Sequence, residues 1–180
     1  MIIDASYFHG EIVIPFLKSS ATVTGVDAIL QSVTNQSIND FICQYESRFL
    51  KKLLGQELRD AFLAGLEDEI PNEIWIRLKN LLLDTKCKTS PIAYYVYYFF
   101  KCNESTITTG LGEVMPTQSE GTGVDASRKM VNTCRKLRES VNEFYRVFDA
   151  TNYILYYGNG IGKKSKLWWN KEFNINIWNV

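Results

Sequence analysis

The chain has 180 residues, 46% of them hydrophobic and 22% charged, which suits one well-cored globular domain and leaves too little for two. Twenty lysines and arginines offset twenty aspartates and glutamates, so net charge supplies no pull toward nucleic acid or membrane. Aromatic residues, at 13%, exceed what a core of this size requires and point to further apolar contact surface.

The opening "MIIDASYFHG" has no basic stretch of the kind that leads a secretory signal. Cys43, Cys87, Cys102 and Cys134 stand far apart without a CxxC pair, and the expectation is reduced, mostly buried thiols in a cytoplasmic protein. "GEIVIPFLK", residues 10–18, is β-branched and carries Pro15, which predicts a short edge strand or extended arm. Residues 19–36 give only a weak helical signal, from about Val26.

The helical body is expected to begin at Ser37, which with Asp40 approximates a capping box, followed by Phe41, Tyr45, Phe49 and Leu53 on one face. Gly55 closes that helix. A second follows with Leu58, Phe62 and Leu66 on one side. Pro71 and Asn72 open a third, with Ile74, Leu78, Leu81 and Leu82 facing inward. Ser90 as N-cap and Pro91 at the first helical position start a fourth helix, apolar on every side from Tyr94 to Phe100. Such a helix is either central in its own bundle or covered by a second chain. The longest apolar run, residues 92–100, is about half a membrane span, so no transmembrane segment is expected.

Residues 104–124 lose the helical period and contain four glycines; "STITTGLGEVM" has strand character with a turn, and a structureless stretch of this length is expected to project. Residues 125–148 predict the longest helix, with Met130, Cys134, Leu137, Val141, Phe144 and Phe148 in one seam and Arg128, Lys129, Arg135, Arg138, Glu139 and Arg146 on a solvated face. After Asn152 the period fails again. The end of the chain holds Lys163, Lys164, Lys166 and Lys171, three of the four tryptophans, and an alternating "FNINIWNV". The fold class predicted is mainly α: an antiparallel helical bundle (37–150) with a β-hairpin-like excursion (104–124), an N-terminal arm (1–36) and an extended C-terminal docking tail (151–180).

No catalytic constellation emerges. The single histidine, His9, lies in the predicted arm, which removes Ser-His-Asp and Cys-His pairs unless the arm folds back. "YGNGIGKKS" has Tyr157 where a phosphate loop needs glycine, and its glycines read as turn residues. Glu67, Asp68, Glu69 and Glu73 could hold a divalent cation, but carboxylates beside a helix start are explained by the macrodipole. The lysines beside Trp168 and Trp169 could stack on nucleic acid; four lysines without arginine fit a protein-docking tail better. No enzyme activity, cofactor or metal is expected.

The order "FICQYESRFLKKLLGQELRDAF", "SPIAYYVYYFFKCNESTITTGLGEV" and "KMVNTCRKLRESVNEFY" resembles the head–tail connector, or adaptor, proteins of tailed bacteriophages and prophages of Bacteroides-type hosts, including crAss-like phages. The resemblance spans residues 37–148 and is most specific across the aromatic helix and "TTGLGEV". It implies a helical subunit of a ring, commonly of about twelve copies, that docks on the portal below the capsid. The ring meets a downstream neck or tail protein and surrounds passing DNA without reading its sequence. It also implies a place in the virion neck, with host cytoplasm during assembly, and no catalytic residues. Within that picture, Thr106, Ile107, Thr108, Thr109, Leu111 and Val114 of the excursion are the expected subunit or partner contacts. Leu167, Trp168, Trp169, Phe173, Ile175, Ile177 and Trp178 of the tail lie outside the resemblance and are expected contacts on physical grounds alone, because so many large apolar side chains must pack on something. A regulatory or nucleic-acid-binding helical module using the Lys/Trp-rich end is the alternative.

Overall fold

The computed structural model describes residues 1–14, 17, 26–104, 107–109, 112–114 and 127–153. Among these residues the protein is mainly helical: α1 (Val26–Leu54), α2 (Gln56–Glu67), α3 (Glu73–Leu82), α4 (Pro91–Glu104) and α5 (Ser127–Val147). Two three-residue strands, β1 (Ile107–Thr109) and β2 (Gly112–Val114), pair antiparallel with Ile107 opposite Val114 and Thr108 opposite Glu113.

The helix ends follow local chemistry. Gly55 sits at φ 88°, ψ 164°, a region that side chains disfavour. Its N–H donates to Lys51 O at 3.0 Å and its carbonyl accepts from Arg59 N at 3.1 Å, so one residue ends α1 and begins α2. The Asn72 side chain accepts from Ile74 N at 3.2 Å to cap α3. Ser90 Oγ accepts from Ile92 N at 3.1 Å, and Pro91 follows at the first position of α4, where a missing N–H leaves no bond unmade.

Ser37 does not start a helix. It lies inside α1, which runs unbroken for 29 residues. A capping box forms only where the chain before it leaves the helical path. Here Val26, Ile29, Leu30 and Val33 already keep a three-and-four spacing upstream of Ser37, so the helical period is running before the motif is reached.

The aromatic helix is central to its own chain. Ile92, Ala93, Tyr95, Val96, Tyr97 and Phe100 are buried, and Tyr94, Tyr98 and Phe99 are half-buried. From α1, Phe41 meets Phe100 edge-on (5.3 Å), Tyr45 stacks on Phe99 (4.6 Å) and Phe49 tilts against Tyr95 (5.3 Å). From α5 come Leu137, Val141 and Phe144 of the predicted seam, with Cys134 buried near Tyr98. The two helices run antiparallel: Lys129 Nζ lies 5.5 Å from the Tyr97 ring, while Ser140 and Phe144 line one groove with Pro91 and Tyr94 at the other end. Each large side chain buried here contributes about 1.5–3 kcal/mol.

Two expectations need correction. The segment read as a strand or free arm instead forms 3-10 turns at Ala5–Tyr7 and Gly10–Ile12, and it buries Ile3, Tyr7, Phe8, Ile12, Ile14 and Leu17 in the main core. In α3 the inward face is Trp75, Leu78 and Leu82, while Leu81 is 37% exposed. The run "IWIRLKNLLL" offers two helical faces. Trp75 takes the buried one because Gly65 on α2 has no side chain to obstruct the indole, which also meets Phe62 and Tyr153.

Candidate assembly surface

Of the expected contact residues, Ile107, Thr108 and Thr109 fall on β1 and Val114 on β2, where Ile107 and Val114 are cross-strand partners. Thr106, Leu111 and the whole set Leu167, Trp168, Trp169, Phe173, Ile175, Ile177 and Trp178 lie outside the described residues.

One open feature among the described residues was missed by sequence reasoning. A groove of about 710 Å³ runs between the end of α3, the turn 84–89, the start of α4 and the second half of α5. The turn that shapes it is built from Asp84. Its Oδ1 accepts from Lys86 N and Cys87 N, both at 2.9 Å, and its backbone exchanges bonds with Thr89 at 2.9 and 3.1 Å. Lys88 completes the reversal in the left-handed region, at φ 52°. The Cys87 amide bond holds the Asp84 carboxyl below its ordinary pKa, and the same carboxylate pushes the exposed Cys87 thiol up. The walls are mixed: Leu81, Leu82 and Leu83 on one side, Phe144 and Val147 on the other and Pro91 and Tyr94 below supply apolar surface, interleaved with Asn80, Thr85, Thr89, Ser90 and Ser140. Val147 is 55% exposed there. The described lining includes Asp84 and Glu143 and no lysine or arginine.

A smaller pocket of about 130 Å³ lies on the other side of Ser90, where the N-terminal segment meets the same turn. His9 Nε2 is 3.1 Å from Lys88 O, Lys88 Nζ lies 5.2 Å from the Tyr7 ring, and Lys136 pairs with Glu11 at 2.6 Å. Donating that hydrogen bond to Glu11 raises the Lys136 pKa. These contacts hold the N-terminal segment in place.

No protein-family model, curated protein or solved structure matches the chain. Among the described residues, no three histidine, cysteine, aspartate or glutamate side chains converge as a metal site, and the Glu67–Glu73 carboxylates stay spread over an exposed corner. All four cysteines are free, with Cys43 and Cys87 exposed rather than buried as expected. Burial pushes the Cys134 thiol up to about 11 and the Tyr98 hydroxyl up to about 12, so neither ionises near neutrality. No helix among the described residues is long and apolar enough to cross a membrane.

Proposed function

We propose that this protein is a head–tail connector subunit of a tailed bacteriophage. It is a structural virion component that forms a closed ring of about twelve copies, docks on the portal and leads to a downstream neck or tail protein. The ring surrounds passing DNA without sequence recognition. The subunit works by assembly rather than turnover and takes no cofactor.

The observation that carries this reading is the placement of the aromatic helix. Its rings are met by α1 and α5 of the same chain, so the helical body is a self-supporting wedge. Assembly then falls to segments outside that body. The strand-forming stretch at 107–114 lies between two antiparallel helices, and strand addition to a neighbour is the natural use of short paired strands as the hairpin of a projecting excursion. The sequence resemblance, strongest across "PIAYYVYY" and "TTGLGEV", agrees with this division.

Electron microscopy of the purified protein, alone and with portal, tests the proposal. Closed rings with a central channel are expected. A monodisperse monomer under both conditions overturns it.

A further inference from the structure

We infer that the groove between α3, the turn 84–89 and α5 is the docking site for this chain's own C-terminal segment, residues 167–178, folded back in cis in the free subunit. Three observations converge on that occupant.

The first is the groove itself. Its volume, about 710 Å³, lies in the range of roughly 300–1,000 Å³ that accommodates bulky apolar ligands. It leaves Leu81 and Val147 partly in water on opposite walls. Such a surface gains most from large, flat, apolar side chains. Residues 167–178 supply Trp168, Trp169, Phe173, Ile175, Ile177 and Trp178 within one short stretch.

The second is charge. The described lining carries Asp84 and Glu143 and no cationic side chain. Beyond Tyr153 the chain has four lysines against one acidic residue, Glu172. Glu143 also pairs with Arg146, and Asp84 bonds backbone amides and the Cys87 thiol with Lys86 nearby, but its carboxylate stays exposed to a further ammonium.

The third is where the chain leaves the folded body. Tyr153 stacks on Phe148 at 5.2 Å, and Phe148 stacks on Phe144, a groove residue, at 4.9 Å. The Tyr153 hydroxyl donates to Ile74 O at 3.3 Å, in the first turn of α3. Residues 154–166 could span about 43–47 Å if extended. The route back along α3 is only about 15 Å. A tether this short and glycine-containing gives an effective concentration in the millimolar range, so at micromolar protein the chain's own segment outcompetes a second copy. A portal or neighbouring subunit that takes the same segment must first draw it out of this groove.

Photo-crosslinking in the full-length protein tests the inference independently of ring formation. p-Benzoyl-phenylalanine is introduced at Val147 and, separately, at Leu81, both partly exposed. The free protein is then irradiated and its peptides mapped. The expected product migrates as a single chain, with the crosslink in residues 167–180 and a yield unchanged on tenfold dilution. Covalent dimers would assign the groove to a second copy and overturn the cis assignment. So would crosslinks confined to the helical body, or the absence of any tail peptide at both positions. Rings seen by microscopy without the cis crosslink would sink this inference and leave the connector reading standing; the reverse result would do the opposite.

Discussion

Glu46 is a carboxylate on α1 with almost no access to water, and it holds the N-terminal segment. Its two oxygens accept the Ile2 N–H at 2.9 and 2.8 Å, and Oε2 also accepts the Ile3 N–H at 3.0 Å. Burial raises its pKa above the ordinary glutamate value, with the Ile3 and Ile2 amides and the N-terminal ammonium pulling the other way. The folded state therefore holds the Glu46 proton more tightly than the unfolded chain does. Its contribution is fully present below the ordinary value of 4.5 and is lost as pH rises through the folded value. Glu46→Gln removes this titration. The difference in unfolding free energy between parent and variant should thus shift against the parent as pH rises from about 4 to 7, as urea melts at several pH values would show. Glu46→Ala should destabilise by roughly 1–3 kcal/mol for each amide left without an acceptor. Gly65 makes a second test at this scale. A methyl group there improves helix propensity by up to about 1 kcal/mol, yet it runs directly into the buried Trp75 indole. Gly65→Ala should destabilise by about 1–3 kcal/mol; a more stable variant would show that the indole yields without loss.

At the scale of elements, what could be read in advance was whatever is decided locally. Ser90–Pro91, Asn72 and Gly55 mark helix ends through their own side chains and backbone freedom, and each sits at the predicted boundary. The α5 seam was legible because one face repeats over five turns. Reading failed where a distant partner decides. Ser37 looked like a cap because its neighbours upstream are mixed in character, and continuity of the helix outweighed the motif. Trp75 and Leu81 exchanged roles because the notch at Gly65 lies on another helix. The N-terminal segment buries six apolar side chains from irregular backbone, which carries no period to detect. The groove is invisible in sequence for the same reason, since two distant stretches, 80–94 and 140–147, build it together. α4 gives the sharpest test of what was read. Tyr95 is fully buried among Tyr45, Phe49 and Phe99, and Tyr95→Ala should cost about 3–5 kcal/mol. Tyr97 is also fully buried, and its hydroxyl has no hydrogen-bond partner among the described residues. Tyr97→Phe should therefore be neutral or raise the melting temperature, whereas a loss above about 1 kcal/mol would reveal a bond to that oxygen.

In the whole molecule, the segment between α4 and α5 belongs either to the folded body or to the assembly. The two helices are antiparallel neighbours that pack along their length, with Tyr97 beside Lys129 near the end where the segment leaves and returns. Packed helix axes lie about 8–10 Å apart, a gap that three or four extended residues can span. Glu104 ends one helix and Ser127 starts the other, so the intervening stretch is far longer than the connection requires. Replacing residues 106–122 with a short Gly-Ser linker should leave the α4–α5 contact intact, because its buried residues, Tyr95, Leu137, Val141 and Phe144 among them, all lie outside the excision. Circular dichroism should then keep the parental helical signal, with a melting temperature within a few degrees of the parent. Assembly should fail if this stretch links neighbouring subunits, and light scattering should report a monomer where the parent forms rings. Collapse of helicity together with assembly would place the segment in the core and remove it from the interface. Rings of normal size from the shortened chain would shift the task of joining subunits to other surfaces of the wedge.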